Sequence, residues 1–158
     1  MTQRRVLVVN HWHDDNRGDS AITSETIRLV GERYPGSAVR VVSLLSARDP
    51  RFRAGSRHVR TVDPDVAVQG SVLPAETDFR RRLRPPALGS MAWACALVVS
   101  AAWAVLYRNS DLRRAVGWAD LVVLNGGSNI YDDPGDREVA SALRLVTILL
   151  PSWVASRR

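Results

Sequence analysis

Four apolar residues in unbroken succession, Val6-Leu7-Val8-Val9, run directly into Asn10, and late in the chain Leu121-Val122-Val123-Leu124 run into Asn125 in the same way. A strand with one wet face alternates apolar and polar residues. An unbroken run needs apolar cover on both faces, which is the condition inside a parallel sheet with helices on either side. That requirement constrains the fold more than any other feature of the sequence.

The intervening pattern fits it. Ala21, Ile22, Ile27, Leu29 and Val30 recur as one side of a helix that Pro35-Gly36 ends, and Ala38–Leu45 reads as the next strand. The opening is therefore β-loop-α-β. His58–Val62 is expected as a third strand. Residues 64–86 read as irregular, with a short helix about Glu76–Leu83. A short helix follows at Asp111–Trp118, and a last one spans Asp136–Leu150 before Pro151 breaks it. At 158 residues the chain has the size of a single domain, so residues 1–158 are expected to form one α/β unit with a Rossmann-like parallel sheet flanked by helices.

Composition removes several function classes. One cysteine, Cys95, excludes a disulfide framework and a cysteine-based zinc site. The net charge is +6, yet all 22 basic residues are Arg and they are spread along the chain. That is the mark of a compositional bias, and no nucleic-acid partner is expected. The one dense run, Arg80, Arg81, Arg82 and Arg84, reads as a solvated helix end or a contact with anionic lipid. Val6–Val9 is too short for the apolar core of a secretory signal, so the expected compartment is the cytoplasm.

In open α/β sheets, ligands sit beyond the carboxyl ends of the strands. The loop after the first strand reads HWHDDNRGDSA. Gly18 permits a tight turn, and Asp19 or Ser20 can cap the following helix. A free helix N-terminus suits an anion, but a carboxylate at Asp19 already occupies that position. The plain alternative is a helix cap after a polar loop. His11 and His13 are candidate general acids or bases. With Asp14 and Asp15 they include metal-ligand types, but their spacing is not that of a metal site and none is expected. The later loop carries Asn125, Gly126, Gly127 and Ser128, with Asp132, Asp133 and Asp136 behind. Its glycines can form a backbone nest. It lacks the GxGxxG dinucleotide fingerprint, and a tight strand-to-loop turn with solvated carboxylates about Pro134-Gly135 explains it equally well.

Taken in order, the two loops resemble the polysaccharide pyruvyl transferase family. The first shows N-x-G-D-x-A at Asn16, Gly18, Asp19 and Ala21. The second shows A-D followed by G-G-S, at Ala119, Asp120, Gly126, Gly127 and Ser128, with Asp132 close behind. The resemblance covers Arg4 to about Leu150 and implies the N-terminal half of a GT-B-like two-domain transferase. Such enzymes move a pyruvyl group from phosphoenolpyruvate, the donor substrate, to sugar hydroxyls of a cell-surface polysaccharide, and no further cofactor is implied. The donor is held by basic residues and a histidine of the family's second half. The first half supplies the acceptor side, here Asn16, Gly18, Asp19, Asn125, Gly126, Gly127, Ser128 and Asp132. The implied partner is a glycan or lipid-linked sugar, and the chain is expected to be a fragment of a longer gene, a truncated reading frame, or half of a split protein whose second half is supplied in trans. On this reading the 158-residue chain alone has no transferase turnover.

One segment stands apart. Leu88–Tyr107 carries no charge and is flanked by Arg84 and Arg108. Three placements compete: a helix buried or facing a partner within the α/β domain, a membrane-surface helix aided by Arg80–Arg84, and a bilayer span. A span would put the strands on either side of it across the membrane from each other. Two other functions stay open at this stage, a non-catalytic membrane-associated assembly module and a nucleotide-binding α/β domain.

Overall fold

The computed structural model describes residues 3–11, 17–54, 57–74, 86–107, 110–125 and 138–157. Its centre is strand β1 (Arg5–His11), which pairs in parallel with β2 (Ala38–Ser43) on one side and β4 (Leu121–Leu124) on the other. The short strand β3 (Ala67–Gln69) adds outside β2, giving the all-parallel order β3-β2-β1-β4. This is an α/β fold of Rossmann-like type.

The two apolar runs lie side by side, as their continuous hydrophobicity requires. Val6 pairs with Leu121 and Val9 with Leu124. Alternate residues feed two cores. Val6 and Val8 pack with Val39, Val41, Ile27 and Val30 beneath helix α1 (Arg17–Arg33) and helix α3 (Arg57–Val62). Leu7 and Val9 face the other layer, built from helix α4 (Pro86–Leu106), helix α5 (Asp111–Trp118) and helix α6 (Glu138–Ser156), through Leu97, Val116 and Leu150. A small helix α2 (Pro50–Ala54) follows β2; buried Asp49 accepts the Arg51 amide at its start and pairs with the Arg51 guanidinium at 3.0 Å.

The joins are sterically specific. Tyr34-Pro35-Gly36-Ser37 is a turn closed by the Ser37 amide on the Tyr34 carbonyl, with Gly36 at φ 74°. A side chain at Gly70 would lie 2.3 Å from the Ala47 amide nitrogen, so the end of β3 can pass the loop after β2 only as glycine.

Several expectations are corrected. His58–Val62 is not a strand but most of α3. Val59 and Val62 are three apart, and fully buried Val59 joins the core under α1. The third strand is instead Ala67–Gln69, inside the stretch read as irregular. Pro151 does not end the last helix, which continues to Ser156. Proline forfeits one amide bond there, but Leu150 and Val154 bury on both sides of it and hold the helix to the sheet. Asp19 and Ser20 lie within the first turn of α1 and do not precede it. The expected helix at Glu76–Leu83 falls outside the described residues.

The uncharged segment is α4. Trp93 and Leu97 are buried against the sheet, and Trp93 Nε1 donates to the Pro74 carbonyl at 2.9 Å. β4, beyond α4 in the chain, pairs with β1 in the same sheet as the strands before it. The span reading is therefore overturned; among the described residues no helix is long and apolar enough to cross a membrane.

At the amino edge of the sheet, Asp120 ties β4 to β1. The Arg5 amide donates to Asp120 Oδ2 at 2.9 Å, the Arg5 guanidinium donates to both carboxylate oxygens, and the Asp120 amide donates back to the Arg5 carbonyl at 2.7 Å. The Arg5 hydrogen bonds hold the Asp120 carboxyl below the usual carboxylate range. A carboxylate depressed in the folded state stabilises at neutral pH and loses that contribution as pH falls through its folded pKa. Asp120→Asn is therefore expected to lower the melting temperature at pH 7 while leaving it nearly unchanged at pH 2. Melting curves at the two pH values check this; an equal loss at both would assign the effect to packing.

Candidate functional site

The chain runs from β1 outward to β2 and β3, then returns to place β4 on the far side of β1. The crevice at the carboxyl ends of β1 and β4 is thus the topological switch point, where open α/β sheets hold ligands. Asn10 and Asn125 end neighbouring strands there, and the Asn125 amide extends the ladder by donating to the Val9 carbonyl at 3.0 Å.

Asn10 is the strained element of this edge. Its φ is 69°, the one positive value among the described non-glycine residues. Asn tolerates the left-handed region better than most residues, and β-branched residues tolerate it worst. The β1–β2 register shows the consequence. Val8 pairs with Val41 and His11 with Ser43, so three steps on β1 oppose two on β2. This is a bulge of one residue. Simple alternation from Val9 would send Asn10 toward α1 and His11 toward α6. The bulge exchanges them. Asn10 Nδ2 donates to the Ile148 carbonyl of α6 at 3.2 Å, and His11 Nδ1 meets Thr23 Oγ1 of α1 at 3.0 Å.

Thr23 is the hub of a buried polar cluster. Its hydroxyl donates to the Asp19 carbonyl at 2.9 Å, and the same oxygen accepts from Asn125 Nδ2 at 2.7 Å. Since the single hydroxyl proton is used on Asp19, His11 Nδ1 must itself carry a proton and donate. The neutral imidazole is therefore the Nδ1–H tautomer. Asn125 Oδ1 in turn accepts from Thr26 Oγ1 at 3.4 Å. His11, Asp19, Ser20, Thr23 and Asn125 are all buried. The cluster fixes the first turns of α1 over the ends of β1 and β4.

Of the residues expected at the site, the structure brings His11, Asp19 and Asn125 together and leaves Gly18 exposed in the first turn of α1. His13, Asn16, Gly126, Gly127, Ser128 and Asp132 lie outside the described residues, as do Asp14, Asp15, Asp133 and Asp136. His11 is only 2% exposed, and its Nδ1 contacts Thr23 of α1. Among the described residues, no three His, Cys, Asp or Glu side chains gather in a way that could hold a metal ion. Asp120, part of the second motif, belongs to the opposite edge, where it is a clamp. Thr23 and the bulge at Asn10 were not foreseen. A threonine amid the apolar positions of an otherwise exposed helix was the available signal for the first, and an asparagine ending a buried run for the second.

No protein-family model matches this chain, and no curated protein or solved structure is significantly similar to it.

Two substitutions test the cluster. Thr23→Val removes the shared acceptor of Asn125 Nδ2 and the donor to Asp19, and is expected to cost about 2–3 kcal/mol in denaturant unfolding, whereas Thr23→Ser should cost under about 1 kcal/mol. Asn10→Val should likewise cost about 2–3 kcal/mol from left-handed strain and a lost buried hydrogen bond, with Asn10→Gly, which keeps the backbone conformation, costing roughly 1 kcal/mol. Equal effects of Val and Gly at position 10 would show that the bulge does not depend on side-chain tolerance of positive φ.

Proposed function

We propose that this chain is the acceptor-side α/β domain of a polysaccharide pyruvyl transferase-like enzyme, binding a glycan at the carboxyl edge between β1 and β4. The observation that supports this reading is that the loops carrying the two motifs leave adjacent strands at the switch point of the sheet.

The charge at that edge favours a sugar over a phosphate. In a dinucleotide-binding sheet, the first helix N-terminus faces the pyrophosphate. Here Asp19 occupies the first turn of α1, where its carboxylate takes the favourable end of the helix dipole and repels a second anion. A neutral polyol suffers no such repulsion. Its hydroxyls donate to carbonyl oxygens and accept from amides, the chemistry of the Asn-Gly-Gly-Ser run at Asn125–Ser128. The domain's work in this reading is to hold one sugar hydroxyl in position. The resemblance assigns phosphoenolpyruvate to the family's other half, so acceptor binding and donor binding are separable properties.

An amide-resolved NMR titration of the full chain tests this. Disaccharides of bacterial cell-surface glycans are expected to shift the amides of Gly18–Ser20 and Asn125–Ser128, and Ser128→Ala should weaken that binding about fivefold, the worth of one neutral hydrogen bond. Phosphoenolpyruvate alone should leave these amides unmoved. Shifts produced by ATP or NAD and by no saccharide would replace the reading with a nucleotide-binding domain.

A further inference from the structure

We propose that the outward sides of α4 and α6 form a docking surface for a bilayer carrying anionic headgroups, on which the domain lies without crossing it. The two helices pack against each other, and their inner sides share the core that covers one face of the sheet. Their outer sides are apolar and open. Met91, Val98, Val99 and Trp103 of α4 and Val146 and Leu149 of α6 are exposed, Met91 and Val99 by about two thirds. The opposite layer shows what a solvated helix of this chain looks like. On α1, exposed Arg28 bridges Glu25 and Glu32. α4 has no charged residue at all. Contiguous apolar surface of this kind marks a binding face.

Charge selects the occupant. From Arg80 to Asn109 the charged residues are arginines alone: Arg80, Arg81, Arg82 and Arg84 before α4 and Arg108 after it. In α6 and after it, the charged residues beyond Glu138 at its first position are Arg144, Arg157 and Arg158. Apolar helices preceded or followed in the chain by arginines match hydrocarbon bordered by anionic headgroups. The aromatic residues fit the same boundary. Trp103 and Tyr107 stack at 3.7 Å at the end of α4, and the Arg157 guanidinium lies 5.1 Å over the Trp153 ring at the end of α6. Such amphipathic rings settle at the headgroup level. Burial of Trp93 and Leu97 commits the other side of α4 to the sheet, so the helix rests in the interface plane. The surface is independent of the transferase reading.

Flotation of the full chain with vesicles tests the proposal. Phosphatidylcholine vesicles containing one quarter phosphatidylglycerol are expected to carry the chain upward with a blue shift of tryptophan fluorescence, and pure phosphatidylcholine to carry much less. Val98→Glu with Trp103→Glu should reduce the bound fraction about tenfold, since it removes buried apolar area and opposes the headgroup charge. Ile22→Glu with Leu29→Glu makes the same charge change on exposed positions of α1 and should leave binding intact. Absence of flotation overturns the proposal. So does an equal loss in both double variants, which would mean attraction by net charge alone. Self-association without flotation, abolished by the α4 variant, also overturns it and assigns the face to a second copy of the chain.

Discussion

β1 has no free side. Both its edges are hydrogen-bonded to parallel neighbours, and both its faces lie under helices. Val6, Leu7 and Val8 are wholly buried, and burial of such side chains is worth roughly 1.5–3 kcal/mol each before the entropy of ordering is counted. Every other element is positioned by the need to cover this one strand. β2 and β4 supply its hydrogen-bond partners, α1 and α3 cover Val6 and Val8, and α4, α5 and α6 cover Leu7 and Val9. A chain with one such strand must wrap it in both directions. The reversal of strand order beside β1, and with it the switch point, follows from that wrapping.

The two edges of the sheet are finished differently. At the amino edge, backbone and side-chain bonds between Arg5 and Asp120 close β1 against β4, and their register is fixed by charge in an exposed place. At the carboxyl edge the register is broken by a left-handed residue, and the closure is made by His11, Thr23 and Asn125 in a buried place. A charged pair is affordable at the exposed edge because water solvates it. Inside, the threonine, asparagine and imidazole satisfy one another by hydrogen bonds. Asp120, which opens the second motif, therefore lies at the edge opposite the one where β4 ends in Asn125.

The sequence made the central strands legible because continuous hydrophobicity has one good explanation, and the adjacency of β1 and β4 followed from it. It also placed His11, Asp19 and Asn125 at one edge. It failed where local pattern is ambiguous. Six residues at Arg57–Val62 alternate well enough to pass for a strand, and only the burial of Val59 under α1 decides for a helix. Pro151 is a helix breaker by local rules, and tertiary burial overrides it. β3 is three residues long and takes its place from pairing with β2, which no local pattern encodes. The bulge at Asn10 is a backbone angle, and residue type permits it without dictating it.

That angle matters beyond His11. Without the extra residue on β1, the Asn10 side chain would turn toward α1 and the bond to the Ile148 carbonyl could not form. With it, consecutive residues at the end of β1 hold opposite layers: Asn10 grips α6 and His11 grips α1. Ile148 is itself buried, and its neighbours Leu149 and Val146 open outward on the outer side of α6. The path from that face to the switch point is therefore one hydrogen bond long at its narrowest. Helix α6 meets the carboxyl end of β1 through the Asn10 amide, and α1 meets the same end through the imidazole. The geometry thus ties both helix layers to the candidate site by two adjacent residues, and the positive φ at the first of them is what allows both contacts to be made.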